Sequence, residues 1–178
     1  LAYGHGTDNA ADEAYWLVRA VQSWDDDVFD RQPDDETLAT LAAFACRRAL
    51  EHVPVAYLVN EAWFAGLWFY VDERVLVPRS PLAELIIRQF APWLELRTGD
   101  RVLDLGTGSG CLAIGVAHHC PGVSVDAIEV SSAAAAVARR NIDAHEIGDR
   151  VRLFEGDLFE AVAGPYRIII SNPPYVSD

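Results

Sequence analysis

One stretch of the chain constrains its fold more than any other: residues 102–110 read VLDLGTGSG, an apolar run that leads directly into three alternating glycines. Glycines at a turn from strand to helix let a ligand approach the backbone closely, and the following helix presents unpaired N–H groups to that ligand. The dinucleotide-binding fingerprint requires glycine at position 111, where this chain has Cys111. The stretch therefore predicts a strand, a ligand-binding loop and a helix, but not the usual dinucleotide site.

Short β-rich runs alternate with alanine-rich segments in the C-terminal half. The runs are RVLDLG from Arg101, SVDAIEV from Ser124, VRLFEG from Val151 and YRIIISN from Tyr166. Residues 110–119 and 132–145, which separate the first three runs, have helical composition, and Gly148 is placed to end the second helix. This alternation predicts an α/β fold with a parallel sheet.

Periodicity and charge divide the chain into three regions. Asp34 can cap a helix at the start of an alanine-rich apolar repeat, and an earlier helical segment spans residues 12–24. Aromatic residues around Gly66 indicate β-structure broken by turns, and a helix is expected from Pro81 to about Trp93. The predicted domains are a helical domain at 1–53, a β-hairpin linker at 54–80 and an α/β domain at 81–178.

The composition narrows the functional classes. A net charge of −13, with 14 arginines and no lysine, disfavours DNA or RNA held by a basic surface, whereas it suits a basic protein partner or solubility alone. No apolar run reaches the ~20 residues of a membrane span, and the start LAYGHGTD does not resemble a signal peptide. The three cysteines, Cys46, Cys111 and Cys120, lack metal or redox spacing. A cytoplasmic protein without a metal site is the expectation.

Acidic residues follow or end three successive predicted strands. Asp104 precedes the glycines, where it would attract a cationic group, and Glu129 lies at the distance from which an acid reaches ribose hydroxyls, although it could also be a solvated strand-end acid. Asp157 could accept a hydrogen bond from an adenine amino group. An adenosyl ligand with a cationic tail, S-adenosyl-L-methionine, fits this pattern. The candidate cofactor-binding residues are Asp104, Gly106, Thr107, Gly108, Gly110, Glu129, Asp157, Leu158 and Asn172.

The fourth predicted strand ends in a proline-rich turn with a side-chain amide. Two consecutive prolines stiffen the turn and leave carbonyl oxygens in fixed directions, and the neighbouring amide adds an acceptor. Such a group can orient a planar –NH₂, although it could also merely terminate the strand. The candidate catalytic residues are Asn172, Pro173, Pro174 and Tyr175.

Several of these motifs together resemble the HemK-type protein-glutamine methyltransferases. They are VLDLGTGSGCLAI, AIEVS, GDLF and NPPY, with FAGLWFYVDERVLVPR resembling the interdomain hairpin of that family. NPPY alone is shared with amino-directed DNA methyltransferases. Within the family, YGHGTDNAADEA, VPVAYL and PRSP most resemble the branch that methylates the third large-subunit ribosomal protein. One departure is Glu129, where the family commonly has aspartate.

The resemblance implies a Rossmann-like methyltransferase domain that transfers a methyl group from S-adenosyl-L-methionine to a glutamine side-chain nitrogen of that ribosomal protein. Family members continue past NPPY with further strands, so this chain is expected to be C-terminally truncated, its sheet incomplete and, if it ends at Asp178, inactive. The alternatives are a release-factor glutamine methyltransferase, a DNA adenine methyltransferase and a non-catalytic fragment that binds the cofactor.

Overall fold

A parallel four-stranded sheet forms the centre of the C-terminal half. The structure is a computed structural model that describes residues 10–22 and 33–173. The strands of the sheet are β3 Arg101–Leu105, β4 Ser124–Glu129, β5 Val151–Glu155 and β6 Ile168–Ser171. They lie in the order β5-β4-β3-β6, and every neighbouring pair is parallel. This confirms the α/β alternation, and β3 lies in the interior of the sheet with Val102 and Leu103 fully buried.

Two helices provide the crossovers between these strands. Helix α5, Cys111–His119, joins β3 to β4 and is buried along most of its length, and α6, Ser132–Ala144, joins β4 to β5. Ser131 caps α6 by accepting a hydrogen bond from the Ala134 N–H at 3.3 Å. The prediction that Gly148 ends this helix is wrong, because the helix ends at Ala144 and Glu146 takes the left-handed conformation with φ 53°.

One buried carboxylate links the strands at the amino-terminal edge of the sheet. Asp126 in β4 accepts hydrogen bonds from Arg101, from Arg152 at 2.9 Å and from the Tyr166 hydroxyl at 2.8 Å. Burial alone would raise the pKa of Asp126, but these three donors hold it below its ordinary value. The carboxylate therefore joins β3, β4, β5 and the segment that enters β6.

An antiparallel hairpin precedes the sheet. Strands β1, Ala62–Phe64, and β2, Leu67–Phe69, are joined by Ala65 and Gly66, which both have positive φ as a tight hairpin turn requires. Two imidazoles hold its backbone: His119 Nε2 donates to the Ala65 carbonyl at 2.8 Å, and His145 Nε2 donates to the Trp68 carbonyl at 2.7 Å. The hairpin is therefore anchored to the ends of α5 and α6.

Helix α4 is shorter than the sequence predicts. It spans Leu82–Ile87 instead of continuing to Trp93, because Gln89 and Phe90 adopt left-handed conformations with φ of 53° and 64°. These conformations turn Phe90 into the core, where only 4% of it is exposed. Burial of this ring accompanies the early end of the helix.

The N-terminal helices form a separate unit. The chain divides into two compact units, Leu1–Asn60 and Glu61–Asp178, so the helical unit extends beyond residue 53. Its helices are α1 Ala10–Gln22, α2 Asp35–Leu50 and α3 Val55–Val59. The unit continues to Asn60 because Val55 and Leu58 of α3 share its core with Leu17.

Polar contacts complete the helical unit. Asp34 caps α2 as predicted, accepting from the Thr37 N–H at 2.8 Å. Glu13 and Arg48 form an ion pair at 2.9 Å between α1 and α2. Among residues 10–22 and 33–173, no helix combines the length and the apolar composition needed to cross a bilayer.

Candidate ligand-binding site

The loop between β3 and α5, residues 106–110, contains the three alternating glycines. Gly106 and Gly108 have φ of 68° and 56°, and a Cβ added at either would meet no atom within 4 Å. Their backbone is therefore open to a ligand. At Gly110 an added Cβ would lie 3.2 Å from Ile114 Cδ1 and 3.5 Å from Ala138 Cβ, so this glycine permits the end of the loop to approach α6 closely.

Asp104 lies beneath this loop and is completely buried. Its Oδ2 atom accepts hydrogen bonds from the Thr107 hydroxyl at 2.6 Å and from the Ala113 N–H at 3.2 Å. Its Oδ1 atom is buried and has no hydrogen-bond partner in the structure. Thr107 thus uses its hydroxyl to fix the loop, and one oxygen of Asp104 remains for a further donor.

The environment of Asp104 opposes its negative charge. Burial raises the pKa of Asp104 to about 7, the charge of Glu129 acts in the same direction, and the hydrogen bonds from Thr107 and Ala113 only partly oppose the change. A cationic group at Oδ1 would favour the ionised form. This carboxyl therefore combines an unused acceptor with a preference for a positively charged partner.

Glu129 fixes the same loop from the neighbouring strand. Its Oε2 atom accepts from the Gly108 N–H at 2.9 Å, and its Oε1 atom accepts from the Ser131 N–H at 3.0 Å. The side chain is largely buried at the carboxyl end of β4. Because a carboxylate oxygen can accept more than one hydrogen bond, Glu129 can hold the loop and also accept from ligand hydroxyls.

The predicted residues after β5 lie in an exposed turn. The side chain of Asp157 is exposed, and Leu158 is 57% exposed with φ 44°. Two further apolar side chains that the sequence reasoning missed follow strand ends in the same way, Val130 at 69% and Phe159 at 55% exposure. Apolar side chains that remain exposed beside the carboxyl ends of parallel strands suit a flat, largely apolar ligand.

Asn172 and Pro173 follow β6, on the other side of β3. The Asn172 Nδ2 atom donates to the Arg79 carbonyl at 3.3 Å, and the Ser171 hydroxyl donates to the Leu105 carbonyl at 2.8 Å. These bonds tie the end of β6 to β3 and to the segment after the hairpin. Pro173 is exposed, and the other predicted catalytic residues, Pro174 and Tyr175, lie outside the described residues.

The strand order brings most of the predicted site residues to one edge of the sheet. Asp157, Glu129, the glycine loop with Asp104, and Asn172 follow or end the neighbouring strands β5, β4, β3 and β6. Asn141 of α6 was missed, although its buried amide donates to the Ser109 carbonyl at 2.8 Å. The available signal was a single amide in an alanine-rich helix.

Neither a reactive cysteine nor a metal-binding cluster is found near the site in the described residues. Burial raises the pKa of the Cys111 thiol to about 12, which makes this cysteine a packing residue rather than a nucleophile. The described parts of the chain contain no cluster of three or more His, Cys, Asp or Glu side chains that could hold a metal ion.

The raised pKa of Asp104 predicts how stability depends on pH. The carboxyl holds its proton in the folded state up to about pH 7 but has an ordinary value of 3.8, so its contribution to stability falls as pH rises from about 4 to about 7. Asp104→Asn should remove this dependence and raise the free energy of unfolding by about 1 kcal/mol or more at pH 8. Urea unfolding of both proteins at pH 5 and pH 8 measures it. If the free energy of unfolding changed between pH 5 and pH 8 by the same amount in both proteins, the raised pKa of Asp104 would be contradicted.

Comparisons with known proteins place the chain in a family. Residues 84–178, more than half of the chain, match the family described as "Methyltransferase small domain". The ribosomal protein uL3 glutamine methyltransferase of Neisseria meningitidis serogroup B is 45% identical over 181 residues, which cover 99% of this chain and 60% of that protein. The enzyme of the same name from Xanthomonas campestris pv. campestris is 46% identical over 184 residues, covering 100% and 59%.

Solved structures support the fold. The delta-N METTL16 methyltransferase domain superposes with a TM-score of 0.52 at 21% identity, over 80% of this chain and 60% of that one. The M. jannaschii tRNA m1G37 methyltransferase gives 0.51 at 21% identity, over 65% and 35%. The chain spans about three fifths of the length of the curated relatives named above. The parallel sheet is Rossmann-like, and the chain belongs to the methyltransferase small domain family.

Proposed function

We propose that this chain forms the cofactor-binding part of an enzyme that transfers a methyl group from S-adenosyl-L-methionine to a glutamine side-chain nitrogen of the third large-subunit ribosomal protein, uL3. The observation that carries the cofactor assignment is the pair of buried acids, Asp104 and Glu129, around an open glycine loop at the carboxyl edge of the sheet. The substrate assignment is supported by the relatives, which bear this activity in their names and match nearly the whole chain.

The residues at this edge fit the parts of the cofactor. The unpartnered Asp104 Oδ1 suits the ligand's ammonium group, and the open backbone at Gly106 and Gly108 leaves room for its methionine part. Glu129 is assigned to the ribose hydroxyls. When bound, S-adenosyl-L-methionine supplies an electrophilic methyl group on a positively charged sulfur.

The adenine is assigned to the turn after β5. Asp157 is assigned to the adenine amino group, and the exposed side chains of Leu158, Phe159 and Val130 to the faces of the ring. Apolar contact with a flat ring would remove these side chains from water.

Asn172 is assigned to the substrate amide. An amide nitrogen is a poor nucleophile, so orientation and exclusion of water supply most of the catalytic effect. The bond from Nδ2 to the Arg79 carbonyl restrains the plane of the Asn172 amide. In that orientation the Asn172 oxygen, with the Pro173 carbonyl, can accept hydrogen bonds from the glutamine nitrogen as positive charge develops on it. Pro174 and Tyr175 are assigned to the same substrate site by motif alone.

The helical unit is assigned to substrate recognition. Residues 1–53 contain 11 acidic residues and 4 arginines, a composition that attracts a basic ribosomal protein. The net charge of −13 without a single lysine counts against a DNA substrate. We place the reaction in the cytosol, in accord with the free thiols of Cys46, Cys111 and Cys120.

Asp104→Asn tests the cofactor assignment directly. Loss of the charge-assisted contact should weaken binding of S-adenosylhomocysteine at least about tenfold, even though the folded protein becomes more stable. Isothermal titration calorimetry at pH 8 measures the affinity. Equal affinity of the two proteins would exclude contact between Asp104 and the ligand, and failure of the wild-type protein to bind would reject the proposed cofactor.

Asn172→Ala tests the substrate assignment in the full-length protein. Loss of a positioned acceptor should slow methyl transfer to uL3 by about 10²-fold or more while cofactor affinity changes little. Ser171→Ala, which removes only the bond to the Leu105 carbonyl, is the matched control and should keep most of the activity. The assay follows transfer of a labelled methyl group to uL3 and, in parallel, to a release factor. Preference for the release factor would reject uL3 as the substrate, and an active Asn172→Ala variant would reject the residue's role.

Two exposed acids in the first turn of α2 test substrate attraction. Replacing Asp35 with Asn and Glu36 with Gln should lower kcat/KM for uL3 several-fold at low salt and reduce its dependence on salt, because both residues contribute to the negative surface. Glu95→Gln, at an exposed acid of the other unit, should have a smaller effect. Identical salt profiles for all three proteins would show that the helical unit does not attract the substrate.

A further inference from the structure

A single buried amide connects the glycine loop to the segment that follows the hairpin. Asn141 in α6 is 0% exposed, although much of this helix consists of alanine. Its Oδ1 atom accepts from the Tyr70 N–H at 2.8 Å, and its Nδ2 atom donates to the Tyr70 carbonyl at 2.9 Å and to the Ser109 carbonyl at 2.8 Å. Both N–H bonds of the side chain are therefore used, one of them on the loop.

Tyr70 is the first residue of a segment, residues 70–79, that we call the strap. Val71 and Val75 anchor the strap in the core at 0% and 5% exposure. Tyr70 donates from its hydroxyl to Asp72 Oδ2 at 2.9 Å, and the Arg140 guanidinium carbon lies 3.5 Å from the centroid of its ring. The start of the strap is thus held by hydrogen bonds, by burial and by a cation–π contact.

The other end of the strap contacts the proposed substrate site. The Arg79 carbonyl accepts from Asn172 Nδ2 at 3.3 Å. The strap therefore connects Asn141, which bonds to the glycine loop, with Asn172, which is assigned to the substrate amide. These contacts all lie within the second compact unit.

We propose that Asn141 is a positioning residue that fixes the glycine loop against the strap, so that the cofactor site and Asn172 share one rigid frame. This inference rests on the proposed function. Without the amide, the Ser109 and Tyr70 carbonyls lose their common donor, and the loop has to be ordered when the ligand binds. Replacement of Asn141 then weakens cofactor binding even in fully folded protein.

His145, the C-cap residue of the same helix, lies one turn after Asn141 and provides a matched control. Its Nε2 atom donates to the Trp68 carbonyl, and its ring centroid lies 5.1 Å from that of Phe69. The residue therefore anchors the hairpin as Asn141 anchors the strap, but its hydrogen bond ends on the hairpin and not on the glycine loop. Loss of His145 should destabilise the fold without changing the loop.

The experiment measures stability and affinity separately. In Asn141→Ala, the Kd for S-adenosylhomocysteine from calorimetry well below Tm should rise about tenfold or more, whereas in His145→Ala it should stay within about threefold. Both variants should have a lower Tm. Methylthioadenosine, which lacks the amino-acid tail, should lose less affinity than S-adenosylhomocysteine in Asn141→Ala. Unchanged affinity in folded Asn141→Ala, or an equal loss in both variants, overturns the inference.

Hydrogen exchange tests the same inference on the wild-type protein, without any variant. Binding of S-adenosylhomocysteine should slow hydrogen exchange at the Tyr70 amide, which lies outside the glycine loop and donates to Asn141. Unchanged exchange at Tyr70 in protein that binds the ligand overturns the inference and leaves the proposed function intact. Failure of the wild-type protein to bind the ligand at all rejects both.

Discussion

The hydrogen bonds between two buried carboxylates and the glycine loop are the interactions on which the site depends. Gly106 and Gly108 take positive φ values of 68° and 56° in the folded loop. Without restraints their backbone could adopt many other conformations, and glycine loses more conformational entropy on ordering than any other residue. Glu129 restrains it at the Gly108 N–H, and Asp104 restrains it at the Thr107 hydroxyl. These bonds order the loop from the side of the sheet, while its backbone at Gly106 and Gly108 remains open to a ligand.

Using carboxylates for this purpose has a thermodynamic consequence. Asp104 satisfies one oxygen within the loop but buries the other without a partner, and its pKa near 7 expresses the resulting penalty on the charged form. A neutral amide at this position would hold the same loop with less penalty, but it would offer no charge to a cationic ligand. Burial of this charge therefore lowers the stability of the protein without ligand, and the proposed contact with a cationic group would offset that cost.

The elements that local patterns predict well are the strands and helices from Arg101 onward. Apolar runs and alanine-rich segments alternate there, so the four strands, the two helices and the parallel orientation of the strands follow from the sequence, whereas the strand order required the structure. The short helix α4 was not predictable in this way, because its end depends on burial of Phe90, which is a tertiary effect. The acids at the strand ends were predictable from position, whereas the orphaned oxygen of Asp104 required the packed structure.

Asn141 shows a second limit of prediction from the sequence. In the sequence it is one polar residue in ARRNID, a context in which a solvent-exposed position is the ordinary interpretation. Its partners Tyr70 and Ser109 are 71 and 32 residues away, so no local pattern records the contact.

The strand order explains why the contact of Asn141 with Ser109 and Tyr70 matters for the candidate site. Strand β3 lies between β4, which contains Glu129, and β6, which leads to Asn172. The sheet places these two groups on opposite sides of the glycine loop, and the Thr107 N–H continues the backbone pairing into the loop by donating to the Ile128 carbonyl of β4 at 2.9 Å. Side-chain hydrogen bonds add further restraints: Glu129 accepts from the Gly108 N–H, and Asn141 donates to the Ser109 carbonyl and to the strap. The parallel sheet therefore brings the candidate site residues to one edge, and the buried amide of Asn141 connects the glycine loop with the strap, which in turn contacts Asn172.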